Sequence, residues 1–175
     1  MKGFFVVTAI AVCLAASVPV DAAEAVALTL MGQKQGAIKG DITQKGREGA
    51  IEVLNLELGA SSTAGGPRRW DSLKITKRVD VSTINLVQAF TSNETLTKAT
   101  FKMFRPNASG IEEQFFTVEL QNAVIVSDRI KSASVTADGK PDTSAPVEEV
   151  SFNFQKIAFT YPSGNKSAQD DWQAR

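Results

Sequence analysis

Histidine is absent from this chain, and among its 175 residues Cys13 is the one cysteine. The first absence removes the usual general base of serine and cysteine hydrolases and the commonest metal ligand. Cys13 lies in an N-terminal segment expected to be cleaved, so the mature chain has no thiolate nucleophile, thiolate zinc site or disulfide. Val12 before it is not the small residue that lipid attachment requires. Excess charge is missing as well. Nineteen basic residues balance nineteen acidic ones, which leaves no long-range pull toward nucleic acid or an anionic membrane. The densest basic points are the pairs Arg68–Arg69 and Lys77–Arg78, which read as solvated or salt-bridged surface.

Acids occur in adjacent pairs, Glu112–Glu113, Glu148–Glu149 and Asp170–Asp171. In a strand the two members of such a pair face opposite ways, whereas paired-carboxylate hydrolysis needs facing groups roughly 5–9 Å apart. They are expected to be solvated surface acids. The glycines of GQKQGAIKG lack the lysine–serine/threonine ending of a phosphate loop. Asp138, Gly139 and Asp142 lack the ligand density of a calcium loop. No cofactor and no enzymatic activity are expected.

What is present begins with a targeting signal. Lys2 supplies a positive start, and Phe4 to Val18 is an uncharged, largely apolar run that Pro19 ends. Small residues follow, the layout of a secretory signal peptide, and the run is shorter than the roughly 20 residues a membrane span needs. Cleavage is expected after Ala22, with Ala25 as the alternative. The expected organisation is a leader over 1–22, one domain over 23–162 and a polar tail over 163–175, with export to the periplasm or beyond and no stable membrane span. Apolar residues at 43% and charged residues at 22% suit an ordinary soluble domain with a core of its own.

The domain reads as strands. Ala25–Met31 is the first. Ile51–Gly59 holds two alternations, Ile51 and Val53 in one phase and Leu54, Leu56 and Leu58 in the other. One buried face cannot produce this without an extra residue near Val53–Leu54, unless both faces are covered. The final segment, Glu148–Tyr161, repeats the pattern with Phe152 and Phe154 against Ile157, Phe159 and Tyr161. Two bent strands suit a closed or strongly curled sheet. Ala60–Pro67 is small, polar and glycine-rich and is expected to be a mobile loop. In Ser72–Val79, Leu73 and Ile75 face one way, with Lys77 in the same phase. Ser82 reads as an N-cap for the one sizeable helix, Thr83–Ser92, with Ile84, Val87 and Gln88 at helical spacing and Leu86 and Phe90 on a neighbouring stripe. Thr97–Phe104, Glu113–Asn122 and Ala123–Ser134 complete the strands. Trp70 is equally a core and a binding residue, and Trp172 lies alone in the tail. The fold expected is an all-β barrel or sandwich with one short helix.

Five pieces, in order, carry a resemblance: Ile38-Lys39-Gly40-Asp41; Ile51-Glu52-Val53-Leu54 ending at Gly59; the glycine-rich loop; Thr76-Lys77 with Val79-Asp80 leading into the helix; and Val150, Ser151, Asn153, Phe154, Lys156 and Ile157. Together they resemble the tube protein of type VI secretion, the haemolysin-coregulated protein family, over roughly Ala27 to Trp172. The resemblance implies a β-barrel with one helix, a homohexameric ring, and stacking of rings into a tube that works with sheath, spike and effector proteins. It also implies polar contacts between subunits, with Arg68, Arg69, Lys77 and Asp80 as the candidates. Tubes of this family assemble in the cytoplasm, whereas a signal peptide exports chains singly. A second reading therefore stands beside the first, an exported binding module on the same fold that takes no part in tube firing.

Overall fold

The computed structural model describes residues 25–62, 64–132 and 145–171. The expected leader, Cys13, residues 133–144 and Trp172 lie outside these. The described residues form twelve strands, β1 (Ala25–Gly32), β2 (Gly36–Ile38), β3 (Ile51–Val53), β4 (Asn55–Glu57), β5 (Ala60–Ser61), β6 (Arg69–Trp70), β7 (Leu73–Arg78), β8 (Leu96–Pro106), β9 (Glu112–Lys131), β10 (Val147–Asn153), β11 (Lys156–Tyr161) and β12 (Lys166–Asp171), and one helix, α1 (Ser82–Thr91). The main sheet runs β2-β1-β8-β9-β10-β7-β4.

The two ends of that path meet in the segment Ile51–Glu57. Its first half, β3, pairs with β1, and its second half, β4, pairs with β7. Between them Leu54 turns outward, 46% exposed, while its amide still bonds the Thr76 carbonyl at 2.8 Å. The break sits where the double alternation of this segment requires it, and it wraps the sheet into a barrel-like form. The last segment breaks too. Rather than one strand from Glu148 to Tyr161, the chain forms β10 and β11 with a kink at Phe154–Gln155. Both run along the same long strand, β10 on its second half and β11 on its first. That long strand, β9, joins the two stretches expected separately, with Asn122 at φ 49° at the change of partner.

The core lies inside this wrap. Leu28, Ile51, Leu73, Phe101, Leu120, Val150, Phe152 and Ile157 are 0% exposed. Burial of each such side chain contributes about 1.5–3 kcal/mol. Helix α1 adds Leu86 and Ala89 to the core. Its buried residues are Ser82, Thr83, Leu86 and Ala89; of the two stripes expected at helical spacing only Leu86 turns inward, while Ile84, Val87, Gln88 and Phe90 are exposed. Ser82 is not the cap either. Val81 already has helical dihedrals (φ −58°, ψ −29°), so the capping position falls on Asp80. Asp80 Oδ1 accepts from the Ser82 amide at 2.9 Å, and the Asp80 amide donates back to Thr83 Oγ1 at 3.2 Å. This is a reciprocal cap.

Gly40, in the Ile38-Lys39-Gly40-Asp41 piece, has a steric reason. A Cβ there would lie 2.6 Å from both the Ala50 carbonyl oxygen and Ile51 Cα, where the incoming chain crosses the start of β3. The expected loop after Gly59 is partly ordered, since β5 and β6 pair as a short ribbon. The expected tail also carries structure, because β12 pairs along the whole of β11.

Candidate functional site

Of the four residues proposed for subunit contacts, the structure brings two together and sets them inside the subunit. Lys77 follows Leu73 and Ile75 in the inward phase of β7 and is 0% exposed. Its Nζ lies 2.8 Å from Glu148 Oε2 and 2.8 Å from Asp80 Oδ1. It also donates to the Arg78 carbonyl at 2.7 Å and to Thr83 Oγ1 at 3.1 Å. Thr83 in turn donates to Glu148 Oε2 at 2.6 Å. Lys77 thus has no surface to offer a neighbouring subunit. The Asp80 side chain keeps 10% exposure and serves the lysine and the helix N-terminus. This corrects the expected surface role of Lys77, which is satisfied within one chain.

Glu148 is a further correction. It was expected at the surface with Glu149, yet it is 0% exposed. The two do face opposite ways: Glu149 lies on the outer wall, where Lys131 Nζ reaches its Oε1 at 2.5 Å. That ion pair draws the Glu149 carboxyl below its ordinary range. Glu94 was not anticipated at all. It is 2% exposed, and its Oε1 accepts from the amides of Lys34 at 2.7 Å and Gln35 at 2.9 Å. The Gln35 amide bond leads the causes that hold this carboxyl below its usual value. It pins the β1–β2 turn to the chain just beyond α1.

Arg68 and Arg69 lie elsewhere and are exposed. With Trp70, Ser72, Asn153 and Phe154 they line a groove of about 770 Å³ beside the β10–β11 kink. Trp70 is half in the core. Its Nε1 donates to Asp170 Oδ2 at 2.8 Å, and its ring lies 5.6 Å from that of Phe159. Helix α1 carries the other notable surface, an outward apolar row of Val81, Ile84, Val87 and Phe90, with Ile84 75% exposed. Among the described residues no group of three or more acidic, histidine or cysteine side chains is placed to hold a metal ion, and no helix is long and apolar enough to cross a membrane.

A curled, barrel-like antiparallel sheet with one helix packed against it defines the class of small β-barrel-like domains. Residues 28–161 match the family model described as "Type VI secretion system effector, Hcp", and the chain belongs to the Hcp family, the tube proteins of type VI secretion. A curated relative, the "Major exported protein" of Pseudomonas aeruginosa, is 28% identical over 163 residues, covering 84% of this chain and 94% of its own. Among solved structures, a mutant of the Hcp1 protein of E. coli superposes with a TM-score of 0.74 at 29% identity, covering 85% of this chain and 99% of that one. The secreted protein Hcp3 of Pseudomonas aeruginosa gives 0.71 at 27% identity, covering 86% and 99%.

Proposed function

We propose that the mature chain closes into a homohexameric ring, that rings stack into a hollow tube, and that the lumen can hold effector proteins while sheath and spike components act on the tube. The observation that carries this reading is the family match over 28–161, which spans the barrel from β1 to β11. One surface feature supports it: an exposed apolar row on α1 suits burial in an assembly, and repeated head-to-tail contacts between identical subunits would close into a ring by geometry. We assign residues 1–22 as a signal peptide, in keeping with the name of the exported relative.

The test is the mass of the chain purified from Ala23, measured by light scattering at several concentrations, with intact-mass analysis of the exported form. A closed species of about six protomers is expected, as cyclic symmetry requires a fixed number, with an exported form that starts at Ala23. A persistent monomer would overturn the ring. Arg68 and Arg69 remain our candidates for contacts between rings, on the exposed arm that β5 and β6 project. Changing both to glutamate is expected to leave the ring intact and weaken stacking, seen as shorter filaments by negative-stain microscopy. Unchanged filament length would remove them from that role.

The exported binding module keeps its place as the second reading, favoured by the apolar leader Phe4–Val18, which would send chains out singly.

A further inference from the structure

The polar corner around Lys77 holds more acid than one lysine can neutralise. Asp128 on β9 faces inward with Glu148 on β10, since Val150 pairs with Asp128 and Glu148 pairs with Ile130 on the same side of the hairpin. The Glu148 carboxylate is close enough to act on the Asp128 carboxyl by charge and hydrogen bonding. Asp128 Oδ2 and Glu148 Oε1 are both buried, and no donor points at either. A buried acceptor left without a donor is destabilising, because it has given up its bond to water. The donors bonded at this corner are committed: Lys77 Nζ and Thr83 Oγ1 go to Glu148 Oε2, and Ser82 Oγ goes to Asp80 Oδ1. A donor is missing, and a single proton held between the two carboxyls would supply it.

The charges agree with the geometry. The described groups that face this corner are Lys77 from β7, Asp80 from the start of α1, Glu148 from β10 and Asp128 itself. Arg129, Lys131, Glu149, Lys74 and Arg78 lie on the opposite, outer phase of the same strands. Three acids thus surround one cation, and they share a corner where β7, β9, β10 and the N-terminus of α1 meet.

We infer that the Asp128–Glu148 pair is a proton-operated clasp, closed while it holds its proton and loosened when the proton leaves, so that this end of the barrel tightens in mild acid. The inference does not rest on the ring, because every group involved belongs to one chain. Burial first, and then the charge and hydrogen bonding of Glu148, push the Asp128 carboxyl up to about 6, with Lys77 opposing. An acid raised in the folded state binds its extra proton between the unfolded value of 3.8 and the folded value of about 6. Stability is therefore lost as pH rises across that window and is level above it.

The test uses the full chain and its Asp128→Asn variant, whose amide supplies a permanent donor. Hydrogen exchange at the facing ends of β9 and β10, corrected for intrinsic rate, is expected to show about tenfold more opening at pH 7.5 than at pH 5 in the natural chain. In the variant that ratio is expected to fall close to one, with greater protection than the natural chain at pH 7.5. A carbon-13 titration of the Asp128 carboxyl, which needs no variant, should show a midpoint near 6. A midpoint in the ordinary aspartate range, or equal pH dependence in both proteins, would overturn the clasp.

Discussion

Replacing Lys77 with methionine is expected to destabilise the subunit by about 3–5 kcal/mol, the cost of removing one partner from a buried ion pair. Methionine fills a similar volume, so the loss is electrostatic. Glu148, which is 0% exposed, would be left without its cation, and Asp80 would lose the group 2.8 Å from its Oδ1. Lys77 is also the group that pulls the Asp128 carboxyl down, so Asp128 should titrate at higher pH in the variant. The pair itself is a different matter. A buried ion pair exchanged for apolar residues of like volume is often neutral, so the double change Lys77→Met with Glu148→Leu should recover much of the loss. Urea unfolding of the three proteins decides. A loss below about 1 kcal/mol for Lys77→Met, the level of a surface pair, would mean that water reaches this corner.

This corner also shows how far the sequence could be read. Lys77 shares a phase with Leu73 and Ile75, and Glu148 shares one with Val150 and Phe152. Each is a charge in the apolar phase of its strand, and opposite charges so placed are the mark of a buried pair. The phase of Lys77 was legible; that of Glu148 was masked by its neighbour Glu149, because an adjacent acid pair reads as surface. The bend at Leu54 was legible because a period of two cannot hold Ile51, Val53, Leu56 and Leu58 on one face. The same logic marked Phe154, but the resulting two strands were expected as one. Strand β12 was hidden, since Lys166–Asp171 has no apolar alternation and is ordered by its ladder to β11. Ser82 reads as the cap because it begins the apolar pattern, although Asp80 two residues earlier can reach an amide of the first turn, that of Ser82 itself. Glu94 left no signal, because its partners are amides near Lys34, sixty residues away.

Phe152→Ala is expected to lower stability by about 3–5 kcal/mol, a loss comparable to that of Lys77→Met but from the opposite physics. Phe152 is 0% exposed and meets Phe101 edge-on, with ring centroids 6.2 Å apart at 73°. The two rings come from β10 and β8, on either side of β9, so the contact spans the interior rather than a single ladder. Truncation leaves a void that this wall cannot collapse into. Phe152 is held on one side opposite Leu73 and on the other opposite Ile125, and Phe101 is fixed between Leu28 and Val118. The backbone around the cavity is pinned by hydrogen bonds on both flanks, and relaxation is what makes some cavities cheap. Phe154, two residues on, is only partly buried at the kink, so Phe154→Ala should cost clearly less. The ordering of the two variants by urea midpoint is the check. If Phe154→Ala were the more damaging, the kink between β10 and β11 would hold the barrel together more than its aromatic centre does. A loss from Phe152→Ala under about 1.5 kcal/mol would show instead that the wall closes inward. A subunit whose wall yields so easily would present neighbours with a shape that changes, and a tube built by repetition needs one that does not.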